Sequence, residues 1–140
     1  MTTGRRLLAT IELVPHSEQR YATAGDWWFE DDGTLRVLTS DTGDDDCSML
    51  VAVHELVEAL LCRKHEVSEA AVCGFDLVFD RLHGKEDLEP GEDPSSPYFN
   101  EHAIADIVER LLAKELDVPW RYHDGKVDAL FEEGGPSCDL

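Results

Sequence analysis

The run His54-Glu55-Leu56-Val57-Glu58 sets an imidazole and a carboxylate four positions apart. In a helix each residue turns the chain by about 100°, so His54 and Glu58 project from one face, one turn apart, and can hold a single ion. Zinc suits such a pair, because it accepts nitrogen and oxygen donors with little geometric preference beyond a tetrahedron. Glu55 then points to the flank of the ion. A second stripe lies downstream: with His102 as origin, Asp106 falls about 40° to one side and Glu109 about 20° to the other. His102 is the expected third ligand, with Asp106 and Glu109 as alternative ligands or as groups that orient it from behind.

The order His-Glu-x-x-Glu resembles the HExxH motif of zinc metallohydrolases, with Glu58 standing where that motif has its second histidine. The resemblance implies that Glu55 is the general base, taking a proton from water at the metal, and that His54, Glu58 and His102 form a two-His, one-carboxylate set like that of thermolysin-type sites in a different order. In layout, though in sequence only over the five motif residues, residues 26–116 look like a minimal zincin: a small sheet, then a motif helix, then a later ligand-bearing helix. The whole chain also resembles uncharacterised small proteins encoded by phages and prophages, through PHSEQRY, GDWWF, LVAVHELVEALLC and PYFNEH. That resemblance implies a source and brings no activity with it.

Plainer readings stand beside these. His54 and Glu58 can form an intrahelical ion pair worth a few tenths of a kcal/mol, and His102 can be a residue near a helix end beside an acidic face. Asp76, Asp80 and His83 make a rival stripe, either a second cation site or the wet face of an amphipathic helix. Cys62 and His65 share a CxxH spacing, but a helix end near Arg63 separates them and Cys62 reads as a small buried hydrophobe. Residues 40–46, SDTGDDD, match no calcium-loop spacing.

The elements that must position these residues follow from periodicity. Residues 7–14 and a hairpin over 26–39, turning at Asp31-Asp32-Gly33, predict a three-stranded antiparallel sheet, with Trp27 and Trp28 on opposite faces. A first helix runs from Met49 to Arg63 after a cap at Asp46 or Ser48, a second from Ser68 to Leu82, and a third from Pro97 or Asn100 to Leu116. The loop over 83–97 is acidic and rich in proline, and residues 87–97 border the expected cleft. Residues 120–122 read as extended, followed by a turn at Asp124-Gly125 and one helical turn at most. The expected architecture is an α+β domain over residues 1–133, three strands on three helices, with a flexible tail over 134–140.

The 140 residues carry 31 Asp and Glu against 12 Lys and Arg, a net charge of −19. Such a surface repels phosphate backbones and anionic lipid, so neither nucleic acid nor membrane is an expected partner. A cationic peptide substrate or a basic host protein fits the charge. Four cysteines without CxxC spacing, and no apolar stretch long enough for a leader or a span, predict a cytoplasmic protein with reduced thiols. Three functions stay open at this point: a zinc-dependent, peptidase-like hydrolase; a non-catalytic acidic effector that imitates nucleic acid; and a purely structural metal site.

Overall fold

The computed structural model describes residues 4–83 and 89–132. Its elements are β1 (Ala9–Val14), β2 (Gly25–Phe29), β3 (Leu35–Ser40), α1 (Asp45–Lys64), α2 (Glu69–His83), α3 (Phe99–Glu115) and α4 (Trp120–Glu132), with short 3-10 turns at His16–Glu18 and Pro90–Glu92. The architecture is α+β, as the periodicity predicts. No described helix is long and apolar enough to cross a membrane. The expected tail over 134–140 lies outside the described residues, as does 84–88 of the acidic loop.

The sheet corrects the expectation of an all-antiparallel arrangement. β2 and β3 form the antiparallel hairpin, but β1 lies on the other side of β3 and runs parallel to it, giving the order β1-β3-β2. The cause lies in the connection between β1 and β2. At the end of β3 the backbone N–H of Asp41 donates to Val14 and that of Ser40 to Ala24, so the segment straddles the strand end. His16 Nδ1 and Gln19 Nε2 both sit within 3.0 Å of Ser40 Oγ and hold the crossing in place. A chain that passes over the end of β3 before reversing must leave β1 and β3 parallel.

Helix boundaries follow local chemistry. α1 begins at Asp45, four residues before the apolar period starts, because Asp44 is the cap: its side chain accepts from the backbone N–H of Asp46 and Cys47. Asp45 and Asp46 then sit in the first turn, where negative charge complements the helix dipole. Ser68 Oγ accepts from Ala71 N and caps α2 as expected. The fourth helix replaces the predicted extended piece and turn. Pro119 precedes its first turn, and Asp124-Gly125 is absorbed into the helix because His123 is buried to 1% exposure and anchors it from inside.

One core cluster joins Trp27, Leu35 and Val37 of the sheet to Ala52, Ala59 and Cys62 of α1 and to Val72 and Tyr98. The small residues on α1 let the helix lie close under the hairpin. A second cluster of Cys47, Leu50, Ala113 and Val118 ties the start of α1 to the end of α3. Between these anchors the middle of α1, with His54 and Glu58, is clamped between the sheet and α3.

Candidate metal centre

His54 and Glu58 project from α1 as the helical period requires, and His102 comes from the first turn of α3. All three are buried, at 4 to 7% exposure. His54 Nε2 lies 3.3 Å from Glu58 Oε2 and 3.2 Å from His102 Nδ1, and His102 Nδ1 lies 3.1 Å from Glu58 Oε2. The three atoms form a nearly equilateral triangle. Donors bound to zinc at tetrahedral angles stand about 3.3 Å apart, so this triangle has the size of one face of a zinc coordination shell. Two imidazole nitrogens with their lone pairs turned toward each other and toward one carboxylate need a shared cation between them, either protons or a metal.

Two members of the triangle are hydrogen-bonded from behind, and the rear nitrogen of the third, His102 Nε2, has no hydrogen bond. Glu109 of α3 accepts from His54 Nδ1 at 2.7 Å, which leaves the Nε2 lone pair facing the triangle. Glu89 brings a carboxylate oxygen to 3.3 Å from His102 Nε2, a loosely aligned charge contact. Trp27 donates its indole N–H to Glu58 Oε1 at 3.1 Å. Sequence reasoning assigns Asp106 or Glu109 to the orientation of His102. The structure corrects this: Glu109 orients His54, and Asp106 pairs with Arg110 at 3.0 Å. Asp106 does converge with His54 and Glu109 as a second group of ligand-type atoms.

Three residues of the site escaped the sequence analysis. His123 of α4 donates from Nε2 to Glu109 Oε2 at 2.6 Å, extending the row to His54–Glu109–His123, and its Nδ1 is buried without a partner. The spacing of α4 gave no signal, because Asp124-Gly125 suggested a turn. Glu89 and Trp27 are likewise distant in sequence from the motif they support.

The charges shift accordingly. Burial works against a charged Glu58, but hydrogen bonds from His102 and His54 outweigh it and pull the carboxyl down to about 2. Burial also disfavours protonated His102, yet Glu58 and Glu89 raise it to about 10. His54 is likewise raised, its burial overcome by Glu109 and Glu58. Without a metal the triangle therefore retains protons that an arriving cation must displace.

Glu55 sits beside the triangle and outside the ligand group. Burial, then the neighbouring Glu58, pushes its carboxyl well above the usual range. It packs on the backbone of β2, where a Cβ at Gly25 would come within 2.5 Å of its Cγ. Glycine is the residue that lets the strand approach so closely. Gly91 does the same for His102, since a Cβ there would stand 2.3 Å from the ring Cγ.

All of these side chains border a cleft of about 1150 Å³ between β2 and the four helices. Thirteen Asp and Glu residues line it, and Arg110 is its single Lys or Arg among the described residues. Across the cleft, Asp76 accepts hydroxyl hydrogen bonds from Tyr21 and Tyr98. Asp76 and Asp80 of the rival stripe thus line the same cleft, but no described ligand group includes them; the His83 side chain lies outside the described residues. Cys62 and His65 are not brought together: Cys62 is buried in the core, while the exposed His65 bonds Glu101 Oε2 at 2.6 Å.

Comparison of the chain with family models, with curated proteins and with solved structures finds no match. The functional reading therefore rests on the geometry of the site.

Proposed function

We propose that this chain is a metal-dependent hydrolase, peptidase-like in its chemistry, with zinc as the ion its donor set suits. The donor triangle of His54, Glu58 and His102, with outer hydrogen-bond partners on His54 and Glu58, carries the reading. Bound there, a divalent cation supplies Lewis acidity and lowers the pKa of water. Glu109 keeps His54 in the tautomer that offers its Nε2 lone pair, and Glu58 stays ionised. Glu55 is the group that takes the proton from water and later returns it to the leaving amine. Burial and the neighbouring Glu58 raise its carboxyl, which makes it a stronger base toward water than an exposed glutamate. The arrangement is that of a reduced zincin in which a carboxylate replaces the second imidazole of the motif helix.

The acidic cleft favours a cationic substrate, such as a peptide segment carrying Lys or Arg, and repels the phosphates of nucleic acid. The three described cysteines are unpaired, which supports a cytoplasmic location.

The test is elemental analysis of the untagged protein beside His54→Ala, Glu58→Ala, His102→Ala and Glu55→Gln, followed by hydrolysis of a peptide library rich in Lys and Arg. We expect about one equivalent of zinc in the wild type and in Glu55→Gln, its loss in the other three, and a fall in turnover of roughly 10²- to 10⁴-fold in Glu55→Gln. A folded wild type that takes up no zinc after add-back sinks the reading; undiminished turnover in Glu55→Gln removes Glu55 from the mechanism.

A further inference from the structure

The site uses one side of α1 and α3, and the opposite side is apolar. On α1 the ligand arc carries His54 and Glu58, and roughly 140° or more from its centre lie the exposed Met49 and Leu60, with Leu56 on the same side but packed against the core. On α3 the ligand arc carries His102 and Glu109, and Ile104, Ile107 and Leu111 lie about opposite. The two helices pack side by side, so both apolar stripes look out on the side of the molecule away from the cleft. β1 continues this surface. Ile11 and Leu13 pair in register with Val37 and Thr39, placing them on the α1 side of the sheet, yet they stand at its free edge.

Exposure here is large. Ile107 and Leu111 are each 63% exposed, Met49 and Leu13 50%, Ile104 46%, and Leu60 and Ile11 42%. Together these side chains leave roughly 600 Å² of apolar surface, at or above the largest patch of a typical monomer. The seven named side chains carry no charge, on a chain of net −19, while Asp45, Lys64, Lys114 and Glu115 continue the two stripes at their ends.

We propose that this reverse face is the interface of a homodimer related by a twofold axis. The area selects a second copy. Doubled by symmetry, the patch gives roughly 1,200 Å² before any polar rim is counted, which reaches the range of specific stable interfaces. A small cationic partner would be drawn to the acidic cleft, whose thirteen Asp and Glu residues outnumber the few carboxylates bordering the apolar face. The patch is self-complementary because it is uniformly apolar, and the sheet edge at β1 is covered at the same time. In the dimer both clefts open outward, so the proposal is independent of whether they hold metal.

Charge gives the interaction a signature. Two chains of −19 repel each other, so added salt strengthens their association, whereas salt weakens the docking of a cationic partner. The experiment is sedimentation equilibrium of the full chain from about 1 to 100 µM in roughly 0.1 and 0.5 M sodium chloride. We expect twice the 15.7 kDa chain mass, with tighter association at the higher salt. Ile107→Glu with Leu111→Glu buries four carboxylates across the pair and weakens association at least about 100-fold, with unchanged circular dichroism. Should that variant unfold, Leu13→Lys with Met49→Lys is read in the same way. A 15.7 kDa species throughout, or a dimer that the folded variant leaves intact, overturns the proposal.

Discussion

Replacing Glu109 by glutamine tests whether the row behind His54 tunes the metal. In the native site both carboxylate oxygens accept, from His54 Nδ1 at 2.7 Å and from His123 Nε2 at 2.6 Å. Glutamine keeps the shape but offers one acceptor and one donor. If its oxygen faces His54, its amide N–H points at His123 Nε2, which must give up its proton and send it to the partnerless Nδ1. If the amide is flipped, His54 must carry its proton on Nε2, the atom that faces the metal. Either way one charge-assisted hydrogen bond of about 1.5–3 kcal/mol is lost or inverted. Part of that loss falls on the empty protein as well as the loaded one. Metal affinity should therefore fall by roughly 10- to 100-fold, the usual effect of losing an outer-shell carboxylate. The assay is competition against a chromophoric chelator at fixed pH, with circular dichroism to establish folding. An affinity within about twofold of wild type, in a folded Glu109→Gln, would refute the argument that this carboxylate sets the His54 tautomer.

Two further outcomes follow from distances and burial. Gly91→Ala puts a methyl 2.3 Å from His102 Cγ and 2.5 Å from Nδ1, so the ring must leave the triangle; zinc affinity should fall at least about 10-fold while the helices persist, measured by the same competition. Asp76 is lifted to about 7 by burial, against the hydrogen bonds from Tyr98 and Tyr21, from an ordinary value of 3.8. The folded chain holds a proton there that the unfolded chain releases, so stability from this group falls as pH rises from about 4 to 7, by up to about 4 kcal/mol. Asp76→Asn should therefore be more favourable relative to wild type at pH 8 than at pH 4 in denaturant unfolding, and an equal difference at both would contradict the assignment.

What the sequence disclosed and what it hid divides along the range of the interactions. His54 and Glu58 are one helical turn apart, and Ile104, Val108 and Leu111 mark the helix that carries His102, so local periodicity suffices for the ligands. The roles of Asp106 and Glu109 depend on how α3 rotates against α1, which no intrahelical angle reports. His123 was hidden because Asp124-Gly125 reads as a turn, while the burial of His123 against Glu109 keeps the helix going. The parallel pairing of β1 depends on His16 and Gln19 gripping Ser40 at the end of β3, more than twenty positions away in sequence. A hydrophobic strand pattern alone does not contain that contact.

The hydrogen bond from Trp27 to Glu58 gives the centre a built-in optical gauge. The indole is 3% exposed and donates to Oε1 of the carboxylate whose Oε2 faces both imidazoles. Exchanging the protons of the triangle for a divalent cation changes the electric field along that N–H, and with it the emission of one buried fluorophore out of three tryptophans. Trp28, stacked under Arg20, lies against another partner and should change little, while Trp120, between Arg110 and the His123 ring, can add a smaller response of its own. Zinc added to the chelated protein should thus shift or quench a blue-edge component that is absent in Trp27→Phe, so occupancy can be followed in solution without any added probe.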